Sequence, residues 1–173
     1  MTYLLCVARS RYTHFALWSI TSSPLILSLD LNNQTAMDFA WPIISNKEAI
    51  GVNQAMSGES GNVFAQANTT VNLARWTKGV PAWQFLSKAQ GQDRVAVLLV
   101  NHGNTSRDLS VEFASVPKLA CAAPAHAATS ASAGCAVRDI WAQKDLGTFK
   151  GGSFTASKLP PHASAFLVVG PPK

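Results

Sequence analysis

Charge is scarce in this chain of 173 residues. Asp, Glu, Lys and Arg together make up 13% of the sequence, against about 25% in an ordinary soluble domain. The 14 basic residues outnumber the 9 acidic ones and set a formal net charge of +5. They are scattered singly and form no basic run or helical stripe, so we expect no nucleic-acid partner.

Long apolar runs are also missing. The longest ones, such as Val95–Val100, are far shorter than the ~20 residues that a membrane-spanning helix needs. Hydrophobic residues still make up 47% of the chain, enough to bury a core, and we expect no membrane partner. Length sets a further bound, because a complete (β/α)₈ barrel needs about 250 residues and does not fit here.

Cysteine is limited to three residues. Cys121 and Cys135 enclose a stretch rich in small residues, and a disulfide across such a loop contributes about 3 kcal/mol in the loop-entropy model. Two unrelated thiols are the alternative interpretation. Cys6 is left over. No second pair of ligands has suitable spacing, so we expect no metal site.

Three sequons for N-glycosylation occur, at Asn33, Asn68 and Asn104. Together with a plausible disulfide they favour a secretory history, in a secreted, endomembrane or vacuolar parent protein. The first residues, Met1–Arg9, lack a basic start and a long apolar stretch, so they make an unconvincing signal peptide.

Hydrophobic periodicity divides the chain into two regions. The first reads as a buried helix at Thr13–Ile20, a strand at Leu25–Asp30, a helix over about 36–45 that Pro42 should bend or divide, and a strand at Glu48–Asn53. This order is typical of an α/β fold whose strands are apolar on both faces, as in a parallel sheet.

The second region reads as short strands separated by turns, which predicts an antiparallel β-sandwich of about 110 residues. We divide the chain into an unmatched segment 1–9, an α/β segment 10–58 and a sandwich 59–173. The predicted sandwich strands are Asn62–Ala67, Val71–Trp76, Trp83–Leu86, Val95–Asn101, Leu109–Phe113, Ala136–Trp141, Gly152–Ala156 and Ser164–Val169.

Polar residues follow the two predicted strands of the α/β region. Asp30 ends the first, and Asn53 and Gln54 end the second. At the carboxyl ends of barrel strands such residues line or support a ligand pocket. The alternative is that Asp30 and Asn53 cap the loops that follow them.

Tryptophan is the other candidate for ligand contact. Trp76 and Trp83 flank a turn and are candidates for stacking on sugar rings, while core packing is the alternative for both. The nine carboxylates yield no facing pair of the kind that glycoside chemistry uses. Phosphate-loop and dinucleotide motifs are absent as well, so we expect no cofactor.

Four segments resemble, in family order, the C-terminal portion of α-galactosidases of glycoside hydrolase family 27. The first contains Thr-His-Phe-x-x-Trp, Pro-Leu-Ile and Asp-Leu, the second ends in Asn-Gln, the third contains Arg-Asp-Ile-Trp-Ala, and the fourth carries a Pro-His motif. Trp-Pro-Ile-Ile at 41–44 and Ala-Met-Ser-Gly at 55–58 are similar to the plant and algal branch. The segments are Arg11–Leu31, Ile44–Gln54, Val137–Phe149 and Leu159–Val168.

The resemblance implies a retaining glycoside hydrolase that removes terminal α-galactosyl or related sugars, so a carbohydrate is the implied partner. It also implies a (β/α)₈ barrel followed by a sandwich, with this chain supplying the last barrel helices and strands and the whole sandwich. The family's Lys-x-Asp nucleophile motif and Asp-Pro-Asp segment are absent from the sequence. We therefore expect a C-terminal fragment that is inactive alone; a non-catalytic carbohydrate-binding or interaction module that keeps the sandwich is the alternative.

Overall fold

Three helices precede ten strands in the computed structural model, which describes residues 2–55, 58–72, 79–122 and 134–172. The helices are α1 (Thr2–Ile20), α2 (Gln34–Ile44) and α3 (Lys47–Gln54). The strands are β1 (Asn62–Gln66), β2 (Thr70–Val71), β3 (Val80–Pro81), β4 (Trp83–Gly91), β5 (Arg94–Asn101), β6 (Arg107–Glu112), β7 (Cys135–Asp139), β8 (Lys144–Phe149), β9 (Ser153–Leu159) and β10 (Ser164–Gly170).

A six-stranded sheet is the central layer, with strand order β1-β4-β5-β10-β7-β8. The pairings along this sheet are antiparallel, as in β10 against β5, where Phe166 faces Leu98. Two smaller sheets pair β2 with β3 and β6 with β9. The β6–β9 pair packs across one face of the large sheet, which confirms the predicted antiparallel sandwich.

Strand β5 explains how the layers are arranged, because it is apolar at every interior position. Val95, Val97 and Leu99 point into the sandwich core, while the alternate residues point to the opposite face. Side chains alternate between faces with a period of two, so a strand apolar at both parities must be covered on both sides. The sandwich core also contains Phe85, Leu109, Val111, Phe113, Val116, Leu119, Cys135, Val137, Leu167 and Val169.

The helices cover the other face of the large sheet and create a second core. Phe15, Ala16 and Ile20 of α1 pack there against Leu98 and Phe166. The ring of Trp141 joins this core, with its centroid 4.9 Å from that of Tyr12 and 5.8 Å from that of Phe166. The molecule therefore has three layers, with helices, a large sheet and a small sheet in that order.

The predicted strand at Glu48–Asn53 is wrong, because these residues lie in helix α3. Asn46 caps the helix, and its Oδ1 accepts hydrogen bonds from the backbone N–H groups of Glu48 and Ala49, both at 3.0 Å. Ala49 and Val52 are buried, and their spacing of three residues places them on one helical face. A short apolar run is ambiguous between strand and helix, and the cap decides it.

The predicted strand at Leu25–Asp30 is also wrong, since these residues have no regular secondary structure. A strand needs a neighbour to accept its backbone hydrogen bonds, and no strand of the described residues pairs with this segment. The predicted helix over 36–45 is confirmed as α2. Pro42 lies in its last turn and does not divide it.

Seven of the eight predicted sandwich strands agree with the structure in place, though several are longer. Of the eighth, Val71–Trp76, Val71 lies in β2, and residues 73–76 lie outside the described residues. The predicted strand Trp83–Leu86 extends to Gly91 and joins β5 through a tight turn. Strand β8 was not predicted, because its side chains are almost all exposed and give no apolar alternation. In the part of the chain that the structure describes, no helix combines the length and hydropathy that crossing a bilayer takes.

Candidate functional site

A groove lies on the helical layer between α1 and α2. It has a volume of about 570 Å³ and is lined by residues of α1, α2 and the segment between them. The Arg11 guanidinium sits 4.5 Å from the centre of the Phe39 ring, and the His14 ring lies 4.3 Å from that of Trp18. The volume suits a small ligand, and the lining contains no carboxylate.

The predicted pocket-supporting residues do not line this groove. Asp30 is exposed, and its Oδ1 accepts a hydrogen bond from the backbone N–H of Asn32 at 3.0 Å. Asn53 donates through Nδ2 to the carbonyls of Trp18 and Ser23, at 3.2 and 2.8 Å. Gln54 is exposed. The structure thus uses Asp30 as a turn cap and Asn53 as a tie to the end of α1, and their role at a pocket stays a prediction.

Trp83 lies partly buried at the edge of the sandwich core. Its ring centroid is 4.6 Å from that of Phe85, within the range of aromatic pairs. Trp76 lies outside the described residues. Sugar stacking by either tryptophan stays a prediction.

Arg138 binds two carboxylates on the surface where α3 meets the large sheet. Its Nε and Nη2 donate to the two carboxylate oxygens of Glu48 at 2.9 and 2.6 Å, and its Nη1 donates to Asp145 at 3.0 Å. Hydrogen bonds to Glu48, and then to Asp145, raise the pKa of Arg138 above its ordinary value. Since Glu48 belongs to α3 and Arg138 to β7, this bidentate pair ties the helical layer to the sheet.

Lys88 makes a second tie between the same layers. It is only 2% exposed, and its ammonium donates to the carbonyls of Val52 and Asn53 at 2.5 and 3.0 Å. These carbonyls lie at the C-terminal end of α3, where cations are favoured by the helix dipole. Burial lowers the pKa of Lys88 below its ordinary value.

Asn101 organises the loops at the end of β5. It is fully buried, and its Nδ2 donates to the carbonyls of Thr105, Leu159 and Pro160 at 2.9 to 3.0 Å. In the next residue, His102, the ring nitrogen Nε2 lies 3.0 Å from Oε1 of Gln84. Burial, and to a smaller extent the charge of His162, lowers the pKa of His102.

Seven of the nine carboxylates accept a hydrogen bond or form an ion pair within the described residues. Two further grooves, of about 290 and 550 Å³, lie beside Arg138. The acidic residues that line these three grooves are Glu48 and Asp145, and both bind Arg138. In the described ranges, no three His, Cys, Asp or Glu side chains cluster in a way that could hold a metal ion. Carboxylates with a cap, amide or cationic partner are Asp30, Asp38, Glu48, Glu59, Asp108, Asp139 and Asp145.

A disulfide joins Cys121 to Cys135, with their Cα atoms 5.4 Å apart. It links the 3₁₀ turn Ala120–Ala122, which contains Cys121, to the first residue of β7, and Cys135 is 1% exposed. The asparagines of the three sequons are all exposed. Asn33 caps α2 through its side-chain oxygen, which accepts from the Ala36 N–H at 3.0 Å. The cap uses the side-chain oxygen of Asn33 and not its amide nitrogen, which is the atom that N-glycosylation modifies.

Residues 80–169 match the family model of the α-galactosidase C-terminal β-sandwich domain. The chain belongs to this family. α-Galactosidase 3 of Arabidopsis thaliana is 30% identical over 143 residues, which are 83% of this chain and 28% of that protein. The chain therefore spans less than a third of the length of this relative.

Solved structures of α-galactosidases share the fold of nearly the whole chain. α-Galactosidase I from Mortierella vinacea superposes with a TM-score of 0.71 at 27% identity, covering 94% of this chain and 35% of that one. The α-galactosidase of Saccharomyces cerevisiae with raffinose superposes with a TM-score of 0.69 at 18% identity, covering 95% of this chain and 44% of that one. Both matches include the helical layer as well as the sandwich.

Sequence reasoning missed the residues that join the layers. Arg138 stood in a motif that carried the family resemblance, but nothing in the motif indicated a partner 90 residues away in α3. Lys88 did carry a signal, because it stands two residues after Leu86 in β4 and therefore shares the strand face of that apolar residue. A charged residue at such a position indicates a specific partner.

Proposed function

We propose that this chain is the C-terminal part of a retaining glycoside hydrolase of the α-galactosidase kind, acting on terminal α-galactosyl or related sugars. The family match supports the class of enzyme. The names of the relatives support the galactoside, and the raffinose in the Saccharomyces cerevisiae structure supports a carbohydrate substrate. The rest of such an enzyme, about two thirds of the Mortierella vinacea chain, has no counterpart in this sequence.

In this proposal residues 10–58 are the last part of a (β/α)₈ barrel and residues 59–173 are the sandwich domain. The apolar outer side of the helical layer supports the first half, since Ile26 is 73% exposed and Trp41 58%. Side chains of this size are normally covered when they lie together on one face. Asp30, Asn53 and Gln54 are then the residues of this chain assigned to support the substrate pocket.

The chain alone lacks the groups for hydrolysis, and one observation carries this conclusion. A retaining enzyme needs two carboxylates about 5–5.5 Å apart, one as nucleophile and one as acid and base. The acidic side chains that line the three grooves, Glu48 and Asp145, are both held by Arg138. Arg138 occupies both carboxylate oxygens of Glu48 and one of Asp145, so the two carboxylates face this arginine and not a position between them where a sugar could bind.

A chromogenic α-galactoside tests both parts of the proposal. The purified chain is expected to give no hydrolysis above a buffer blank, and hydrolysis would overturn its inactivity. A chimera tests membership: this chain replaces the matching part of the Mortierella vinacea enzyme, and we expect hydrolysis to be retained.

The matched control carries the same replacement with Glu48→Gln, which weakens the tie between the layers and leaves the barrel carboxylates of the parent unchanged. A folded chimera without activity contradicts the proposal. Sugar binding by the chain alone, lost on Trp83→Ala, supports a binding module in its place.

We also propose that the parent enzyme is secreted or vacuolar. The disulfide between Cys121 and Cys135 supports an oxidising compartment, and the exposure of all three sequons supports glycosylation. Digestion with a glycosidase that removes N-glycans, followed by mass measurement, tests this. A protein isolated from its source with unmodified Asn33, Asn68 and Asn104 contradicts it.

A further inference from the structure

Helix α1 ends in a turn that sets the course of the segment after it. The N–H of Ser23 donates to the carbonyl of Trp18 at 3.0 Å, and the N–H of Ser22 donates to that of Ser19 at 3.3 Å. These two bonds are the pair that defines a Schellman motif. Ser22 has a φ of 56°, in the left-handed region that is unfavourable for residues other than glycine. Such a conformation persists where the surrounding structure holds it.

The side chain of Asn53 holds this turn. Its Nδ2 donates to the carbonyl of Trp18 at 3.2 Å and to that of Ser23 at 2.8 Å. One amide group therefore bonds to a carbonyl at the start of the turn and to a carbonyl at its end. The Ser23 carbonyl belongs to the peptide that leads into Pro24, whose ring fixes its φ. Asn53 thus sets the direction in which residues 25–30 leave α1.

Asn53 is itself held by Lys88, a residue of strand β4. The Lys88 ammonium donates to the carbonyls of Val52 and Asn53 at 2.5 and 3.0 Å. Both are among the last four carbonyls of α3, which have no partner within the helix. The backbone of Lys88 is fixed by the sheet, where it pairs with Ala96 of β5. A shift of Lys88 therefore moves the end of α3 and, with it, the amide group of Asn53.

We propose that Lys88 is a positioning residue for the substrate pocket and acts through Asn53, by setting where residues 24–30 lie. This role rests on the proposed function, in which Asp30, at the end of that segment, supports the pocket. A displacement of about 1 Å at pocket groups lowers a rate by on the order of a hundredfold. The sandwich then contributes to the reaction through a buried side chain that never contacts the sugar.

Thr13 offers a matched control, because it makes the same kind of bond elsewhere on α1. Its residue is 8% exposed, and its Oγ1 donates to the carbonyl of His162 at 3.0 Å. Like Lys88, Thr13 therefore joins the helical layer to the sandwich through a main-chain carbonyl. It lies well before the turn at Ser22, so its loss should weaken the attachment of α1 without changing the course of residues 24–30.

Nuclear magnetic resonance of the whole chain tests the link without any enzyme activity. In Lys88→Met the side-chain amide resonances of Asn53 should shift, and the N–H of Ser23, now bonded to Trp18, should exchange with solvent about tenfold faster or more. Thr13→Val should leave both as they are. The proposal fails if Lys88→Met leaves both unchanged or if Thr13→Val has an equal effect.

A second substitution covers the case in which the apolar one prevents folding. In Lys88→Gln the side chain keeps a polar end but is too short to reach both carbonyls of α3. The same shift at Asn53 and the same faster exchange at Ser23 are expected, and their absence counts against the proposal in the same way.

The chimera with the Mortierella vinacea enzyme provides the enzymatic measurement. Lys88→Met should raise KM for the chromogenic α-galactoside by about tenfold, because the pocket segment shifts while the carboxylates of the parent stay in place. Asn53→Ala should raise KM as well, and adding Lys88→Met to it should bring no further rise, since Lys88 acts through Asn53. A merely smaller folded fraction lowers the apparent kcat and leaves KM unchanged, which is the result expected for Thr13→Val.

Two enzymatic results contradict the proposal: an active Lys88→Met chimera with an unchanged KM, or rises in KM from Lys88→Met and Asn53→Ala that multiply in the double variant. An inactive unmodified chimera counts against the proposed function instead. The resonance and exchange measurements on the chain alone then decide whether Lys88 sets the turn.

Discussion

The sandwich and the helical layer share one sheet but differ in how they are closed. The sandwich core is covered on both sides by strands, and it contains residues such as Val97 and Phe113 that are at most 1% exposed. The helical layer is covered on one side alone, and its outer side exposes Ile26 and Trp41. Burial is the main source of folding free energy, so the sandwich should carry most of the stability and the helices should depend on the sheet.

The largest effect should come from emptying the sandwich core. Phe113→Ala removes a ring that is 1% exposed, and we expect the free energy of unfolding to fall by about 3–5 kcal/mol, from lost burial and a cavity. Urea denaturation measures it. Phe39→Ala in the helical layer is the control and should cost less than about 1 kcal/mol, since Phe39 is 41% exposed. Equal losses would remove the distinction between the two regions.

The disulfide should rank next. Changing Cys121 and Cys135 together to alanine should lower the free energy of unfolding by about 3 kcal/mol, because an open loop gives the unfolded chain more conformations. Reducing the unmodified protein before denaturation should reproduce the loss, which separates the bond from the side chains. A melting temperature that does not respond to reductant contradicts this prediction.

A smaller effect is expected where Arg138 joins the two regions. Glu48→Gln removes the bidentate partner in α3, whose side chain is 30% exposed, and Asp145→Asn removes a partner that is 80% exposed. Solvent screens the exposed pair more strongly, so Glu48→Gln should destabilise the protein more than Asp145→Asn. Combining each change with Arg138→Ala in a double-mutant cycle measures the coupling. A stronger coupling to Asp145 than to Glu48 would reverse the assignment of Arg138 as a link between layers.

The smallest expected effect is on the pH dependence of the free energy of unfolding, and it comes from Lys88. Burial lowers the pKa of Lys88 in the folded protein, while the unfolded chain keeps the ordinary value of 10.5. Between these two values the unfolded state binds more protons, so the contribution of Lys88 to stability rises with pH towards 10.5. The stability of the unmodified protein relative to Lys88→Met should therefore increase as the pH rises towards 10.5.

Denaturation midpoints at a series of pH values measure this difference. Lys150→Met, at an exposed lysine, serves as the control. Its denaturation midpoint should change with pH as that of the unmodified protein does. A difference between Lys88→Met and the unmodified protein that is constant with pH contradicts the prediction.

Much of the sandwich could be predicted because its strands alternate and its turns carry strong signals. Ser164–Val169 was placed to within one residue of β10, since β-branched and aromatic residues follow a proline-rich turn. Strand β8 was missed because it lies at the edge of the sheet with exposed side chains. An edge strand with polar faces gives no apolar period to detect.

The helical layer was harder to predict, for two physical reasons. Glu48–Asn53 is too short for periodicity to separate strand from helix, and the cap that decides for a helix, Asn46, lies outside this apolar run. Leu25–Asp30 has the composition of a buried strand, but residues of this kind form a strand only where a neighbouring strand pairs with them. The assignment of Asp30 and Asn53 to a pocket rests on those two predicted strands, so it stays a prediction without the strands that motivated it.

The buried polar side chains at the joints have one property in common: they bond to main-chain carbonyls of the neighbouring element. Lys88 reaches the carbonyls of Val52 and Asn53, Asn46 reaches that of Ile140, and Thr13 reaches that of His162. A carbonyl oxygen is present whichever amino acid occupies the position. Substitutions on the acceptor side therefore leave these bonds available, and substitutions on the donor side abolish them. Substitutions should therefore be tolerated better at the residues that supply the carbonyls than at the few residues whose side chains donate to them.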